Sequence, residues 1–280
     1  QGQYLGGGHF TDNHRFGFPV NSTRSGVLAM TSAIDLNADL GEDESPAGIA
    51  RDIAIMDIVS SCNIACGGHA GSPASMRTML AAAKSRHIAA GAHPSYPDRS
   101  GFGRQSMNIT LEDLEACLTS QLHDITTIAE QAGIPLRHLK PHGALYNDAQ
   151  DDPELAGLLV ELAKGSNLAL VGMPRSLIQK KAMARKISFI AEAFIDRRYT
   201  GNGRLTPRSE AGAVLADEDE RLGQGLALAQ GTELTAKDGS LLKIDAHSLC
   251  LHSDSDGALE TAKKMRRALE NVGLVIRPVS

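Results

Sequence analysis

The sequence predicts an α/β fold, a seven-stranded parallel β/α barrel in a single domain, on three observations. From Ala33 onward, short apolar runs alternate with amphipathic stretches of helical period, in seven strand-then-helix units. The spacing of these units is even, and no G-x-G-x-x-G follows the first strand as it does in an open dinucleotide-binding sheet. The chain has 280 residues, 42% of them hydrophobic, enough for one core of barrel size.

The elements follow in order. AIDLN (33–37) reads as the first strand, and residues 47–61 as a helix with Ile49, Ile53, Met56 and Val59 at helical spacing. NIACGGH (63–69) is the second strand, and Pro73 opens a helix through Arg86 in the first-turn position proline favours. IAAGAH (88–93) is the third strand, followed by a long loop over 94–108. Thr110 caps the next helix with Asp113 in a capping-box role. Leu111, Leu114, Leu118, Leu122, Ile125 and Ile128 form its buried stripe, and Gly133 ends it. RHLKPHG (137–143) is the fourth strand, cut short by Pro141, with a helix over 153–163 behind it. LALVGM (168–173), a helix over 174–185 and SFIAEAF (188–194) come next. A polar loop then runs through Glu210 to a helix near 217–230. The seventh strand lies within 241–252, Ser255 caps the last helix, Gly273 ends it, and LVIRP closes the chain.

Residues 1–29 are rich in Gly, Asn, Ser and Thr without sustained period and lack the apolar core of a signal peptide. They read as a tag or disordered extension, His9 and His14 included, with residues 30–280 as the barrel domain. A formal charge of -5 argues against nucleic acid and anionic membrane surfaces as partners. No apolar run reaches the ~20 residues of a membrane span. Cys62, Cys66, Cys117 and Cys250 lie in apolar runs with no CxxC pair, which suits reduced thiols and a cytoplasmic setting.

In such barrels the loops after the strands build the site. Here the first strand ends in Asn37, Asp39 and Glu42, the second in His69 and the third in His93. The fourth ends in Lys140 and His142, the sixth in Glu192, Asp196 and Arg197, the seventh in His252. A single histidine at a strand end is more often a hydrogen-bonded structural group than a catalyst. Four on one face beside carboxylates suit proton transfer or metal binding, because imidazole titrates near neutrality. The carboxylates Asp35, Asp39, Glu42, Glu192 and Asp196 fit the roles of base, metal ligand or orienting partner. Arg99, Arg104, Arg197 and Arg208 fit a substrate carboxylate or phosphate, with surface ion pairs as the plainer alternative. Asp43, Glu44 and the acidic run 217–220 read as solvated faces. No P-loop, G-x-S-x-G elbow or H-E-x-x-H motif is present.

The blocks IDLNADLGE (34–42), NIACGGHAG (63–71), GAHPSYPD (91–98), GFGR (101–104), KPHGALYN (140–147), EAFIDRRYTGNGRLTPRS (192–209) and CLHSDS (250–255) resemble the LamB/YcsF family. Its members are described as the A subunit of bacterial ATP-dependent 5-oxoprolinase. The resemblance covers about residues 33–278, with departures at Gly68 (usually Phe), Ser253 (usually Gly) and Ile195 (usually smaller). It implies a seven-stranded barrel related to polysaccharide deacetylases, and an activity: 5-oxo-L-proline, ATP and water give L-glutamate, ADP and phosphate. It also implies subunits B and C as partners.

Under that resemblance Asp39, His69, His93 and His142 are the candidate catalytic residues. Asp39 and His69 take base and orienting roles, and His93 and His142 transfer protons. Asn37, Lys140, Glu192, Arg197 and His252 are candidates for substrate or phosphate binding, Lys140 and Arg197 for its anionic groups. ATP is the expected co-substrate, although the chain lacks the usual loop to cradle it. A divalent metal held by Asp39, His69 and His93 is an open expectation, as in related deacetylase barrels. Two other readings compete: a metal-dependent carbohydrate deacetylase, and a non-catalytic subunit that binds lactam.

Overall fold

The structure, a computed structural model, describes residues 32–252 and 257–279. The reading of 1–29 as an extension and of Ser255 as a cap falls outside them.

Strands β1 (Ala33–Leu40), β2 (Ser61–Ala65), β3 (Ala89–His93), β4 (Leu136–Leu139), β5 (Ala169–Gly172) and β6 (Phe189–Phe194) run parallel, each paired to the next. After β6 come the short antiparallel strands β7 (Glu233–Thr235) and β8 (Leu241–Lys243), then β9 (Ser248–His252). Strand β9 pairs with β6 on one side and β1 on the other, which closes a seven-stranded parallel barrel. A two-residue strand, β10 (Val275–Ile276), adds to the start of β1.

Helices α1 (Pro46–Met56), α2 (Pro73–Arg86), α3 (Leu111–Ala132), α4 (Gly143–Asp148), α5 (Pro153–Gly165), α6 (Leu177–Ala184), α7 (Glu218–Gln230) and α8 (Ala258–Asn271) lie in the crossovers and after β9. Their boundaries have local causes. Ser45, Ser72, Thr110, Asp152, Ser176 and Asp217 each accept a backbone N–H of the first turn. Gly133 adopts φ +64° behind α3, as its place in the sequence predicts.

The differences from expectation are local. The helix expected over 47–61 stops at Met56, because the next residues turn into β2. Helix α4, the β7–β8 hairpin and β10 were not expected. The acidic run 217–220 is the N-terminus of α7: Asp217 accepts the Glu220 N–H at 2.8 Å. Three carboxylates then follow in its first turn, where the helix dipole favours negative charge.

Strand side chains alternate across the wall. On β1, Ile34, Leu36, Ala38 and Leu40 belong to the hydrophobic core. Asp35, Asn37 and Asp39 are buried on the alternate positions and bond to one another's neighbours across the barrel. The barrel interior is therefore a polar layer, and the apolar core lies between the strands and the helices.

Candidate functional site

The β1–β9 register places Asp39 opposite His252, and the β1–β2 register places it opposite Asn63. Around this layer the interior groups lock together. Asp39 Oδ1 accepts from Asn63 Nδ2 and from Lys140 Nζ, both at 2.8 Å. Lys140 Nζ also reaches Glu192 Oε1 at 2.8 Å and Cys250 Sγ at 3.2 Å. Asn37 Nδ2 donates to Glu192 Oε1 (3.0 Å) and Ser248 Oγ (2.7 Å). His138 Nε2–H closes the layer on Asn63 Oδ1 at 2.7 Å. Its ring fills the space a Cβ on Gly91 would take, 2.2 Å from its nearest atoms, so glycine is required there.

Burial alone would raise the Asp39 carboxyl, but its pairing with His93 and with the Lys140 ammonium outweighs it and holds it well below the usual range. Lys140 shows the same pairing from the other side: burial opposes its charge, Asp39 restores it, and its pKa rises. The lysine is 2% exposed with its ammonium among these groups, so it fixes two carboxylates more than it faces the cavity.

Above this layer the histidines meet. His93 Nδ1 lies 2.8 Å from the Lys140 carbonyl, and His142 Nε2 lies 3.0 Å from the Phe102 carbonyl. A carbonyl only accepts, so both nitrogens carry hydrogen. The other two ring nitrogens, His93 Nε2 and His142 Nδ1, face each other at 3.0 Å. Glu42 Oε1 sits beside them, 3.3 Å from His142 Nδ1, 3.9 Å from His93 Nε2 and 3.0 Å from His69 Nε2. His69 stacks on His142 with centroids 3.6 Å apart. Burial, then the neighbouring His93, pushes His69 down to about 2, so it is a neutral ring. Phe102 holds its carbonyl in place from a left-handed conformation (φ 55°), strained for a non-glycine residue.

Across the opening stands a second group. His252 Nδ1–H donates to Asp196 Oδ2 at 2.7 Å, and its Nε2 accepts from Arg208 at 3.1 Å. Burial would raise the Asp196 carboxyl, but its pairing and hydrogen bond with His252 lower it. Arg197 donates to the carbonyls of Thr206 (2.7 Å) and Ala213 (3.4 Å). Burial and then Arg208 pull it down to about 10. Beside the two groups lies a cavity of about 500 Å³, lined by Asp39, Glu42, His93 and His142 and by Arg197, Arg208 and His252.

The structure thus brings Asp39, His93, His142, Lys140, Arg197 and His252 to one cavity. Asn37 and Glu192 lie beneath it, and His69 lies behind Glu42. Asp39, His69 and His93 do not form a group of their own. The atoms within mutual ligand reach belong to Glu42, His69, His93 and His142, and separately to Asp39, Cys250 and His252. Of the other arginines, Arg104 lines the cavity and packs over the Phe102 ring, while Arg99 ties the carbonyls of Gly67 and Gly71. Asn63, His138, Ser248 and Arg204 were not singled out in the sequence. For the first three, the period-two recurrence of polar residues on β1, β2, β4 and β9 is the signal that marks them.

Fold and site together define a β/α barrel with a histidine–carboxylate cavity at the carboxyl ends of its strands, the position where such barrels carry their chemistry. Residues 34–280 match the LamB/YcsF family, and the chain belongs to it. It is 42% identical to one of the 5-oxoprolinase A subunits of Pseudomonas syringae pv. tomato, numbered 3, over 88% of this chain and 97% of that protein. It is 40% identical to the 5-oxoprolinase A subunit of Streptomyces coelicolor, over 87% of this chain and 98% of that protein. A lactam utilization protein from Thermus thermophilus superposes with a TM-score of 0.80 at 35% identity, covering 88% of this chain and all of that one. Among the described residues no helix is long and apolar enough to cross a membrane.

Proposed function

We propose that this chain is the A subunit of an ATP-dependent 5-oxoprolinase, which opens 5-oxo-L-proline to L-glutamate together with subunits B and C. The observation that carries the proposal is similarity along nearly the whole barrel to proteins named as 5-oxoprolinase A subunits. The cavity suits the substrate class, since about 500 Å³ falls within the usual range for small-molecule sites.

A five-membered lactam is an unactivated amide, and its opening needs coupling. The amide oxygen attacks the γ-phosphorus of ATP, forming an O–P bond and releasing ADP. Water then adds to the activated carbon. The C–N bond breaks as the ring nitrogen takes a proton, and a second water hydrolyses the acyl phosphate to glutamate and phosphate. Arg208 and Arg197 bind the anionic groups. His252, held by Asp196 with its Nε2 towards the cavity, takes the proton from water and returns it to the leaving nitrogen. Asp39, Glu42, His93 and His142 face the amide, with His69 orienting Glu42. Lys140, Asn37 and Glu192 fix Asp39 from below.

The test is glutamate formation from 5-oxoproline and ATP, measured with the chain alone and with its B and C partners. Lactam-dependent glutamate from the reconstituted assembly is expected, with loss of at least ~100-fold for His69→Ala, Asp39→Ala and His252→Ala in folded protein. Full activity in these variants overturns the assignment of roles. Lactam binding by the chain without turnover in the assembly moves the reading to a non-catalytic binding subunit.

A further inference from the structure

The facing nitrogens of His93 and His142 pose a physical problem. Each ring has its single hydrogen committed to a backbone carbonyl, Lys140 for one and Phe102 for the other. Neutral rings therefore bring two lone pairs to 3.0 Å. Glu42 Oε1, 3.3 Å and 3.9 Å away, and Asp39 Oδ2, 3.4 Å from His93 Nε2, add carboxylate oxygens to the same point. Acceptors this close repel unless something positive lies among them.

We propose that Glu42 Oε1, His93 Nε2 and His142 Nδ1 bind one divalent transition-metal cation of the zinc class, with its remaining positions open to the cavity. The spacing fits. Ligands held ~2.0–2.1 Å from one such ion in tetrahedral geometry stand about 3.3 Å apart. The three observed separations are 3.0, 3.3 and 3.9 Å. The ring planes of His93 and His142 cross at 85°, so one point can lie in both planes. Two imidazoles and a carboxylate suit zinc, iron or cobalt more than magnesium or calcium.

His69 is not a ligand in this arrangement. Its ring lies within 2° of parallel to His142, so the two cannot both aim at one ion in the ring plane. It donates Nε2–H to Glu42 Oε1 and orients that carboxylate, while its Nδ1 has no hydrogen-bond partner among the described residues. The set also differs from the Asp39, His69 and His93 trio expected by likeness to deacetylase barrels, because it uses Glu42 and His142. The second group of metal-ligating residues, Asp39, Cys250 and His252, is a poorer host. The Lys140 ammonium stands 2.8 Å from Asp39 Oδ1 and 3.2 Å from Cys250 Sγ, so an ion there would meet fixed positive charge.

The proposal deepens the lactam reading by supplying a Lewis acid beside the amide, but uptake of the ion does not depend on that reading. The full chain, stripped with chelator, is titrated with zinc by calorimetry and with cobalt by visible absorption. One equivalent is expected. Glu42→Gln and His142→Ala should weaken binding more than about 100-fold, His69→Ala by about 10- to 100-fold, and His252→Ala not at all. Circular dichroism checks each fold, and Glu42→Gln keeps the shape of the side chain if His142→Ala does not fold. No uptake by folded wild-type protein overturns the proposal and leaves a shared proton as the cation between the rings. Binding lost in His252→Ala but kept in Glu42→Gln and His142→Ala overturns it in favour of the other group. Because uptake is read on the chain alone, its failure is distinct from failure of the lactam assay.

Discussion

A single carboxylate outside the cavity fixes the loop that carries Glu42. Asp52, buried in α1, accepts the Gly41 N–H on Oδ2 at 2.8 Å, where Gly41 takes φ +78° directly after β1. Burial pushes its carboxyl up to about 6 despite that bond and the nearby Arg51. The folded pKa thus lies above the unfolded value of ~3.9. The protonated acid favours the fold below ~3.9, and this contribution is lost as pH rises through about 6. Asp52→Asn keeps an acceptor for Gly41 and removes the titration. Relative to wild type, the variant should gain about 2–3 kcal/mol between pH 4 and pH 8 in urea unfolding. A difference that stays constant across that range refutes the account. At this scale the sequence revealed chemistry better than partnership. Glu42 and Asp196 stood out by type and by place at strand ends, and Arg208 by type alone. Nothing in the order of residues said that Lys140 would lie between Asp39 and Glu192, because that depends on three strands closing into a ring.

Elements were legible where their periodicity was long and their punctuation strong. Helix α2 begins at Pro73 and ends at Arg86, and α3 runs from the Thr110 cap to Gly133, both as the sequence predicts. Helix α4 was hidden because Pro141, His142 and Gly143 break the pattern before it, and the β7–β8 hairpin because three-residue strands carry no period. Gly68 shows how elements share space. The family resemblance expects phenylalanine there, but a Cβ would lie 2.4 Å from Ser95 Oγ and 2.5 Å from Gln121 Oε1. Gln121, reaching from α3, exchanges hydrogen bonds with the Ser95 backbone at 3.0 and 2.8 Å and fills the site. Gly68→Phe should therefore destabilise this chain by about 1–3 kcal/mol through overpacking. The loss should shrink when Gln121→Ala is added, a coupling that a double-mutant cycle in denaturant measures. Strict additivity would mean that the two positions do not compete for the same volume.

At the scale of the whole molecule, barrel closure and site assembly are one event. Strand β9 bridges β6 and β1, and the layer it completes holds Asp39, Glu192 and Lys140 in contact. An ammonium between two buried carboxylates is neutral to folding only while all three remain. Lys140→Met keeps the apolar stem and removes the charge, leaving Asp39 and Glu192 in a dry interior without that cation. The expected cost is about 3–5 kcal/mol at neutral pH. Its pH dependence has a definite sign. In wild type the Asp39 pKa is depressed, so its contribution is present above the unfolded value and is lost as pH falls through the folded one. In Lys140→Met the Asp39 carboxylate is driven the other way, towards the protonated form, and the fold loses stability as pH rises. The gap between variant and wild type should thus be wider at pH 8 than at pH 5 in guanidinium unfolding. A gap that is equal at both pH values, or wider at pH 5, would show that Lys140 acts by packing alone and that the polar layer does not depend on its charge.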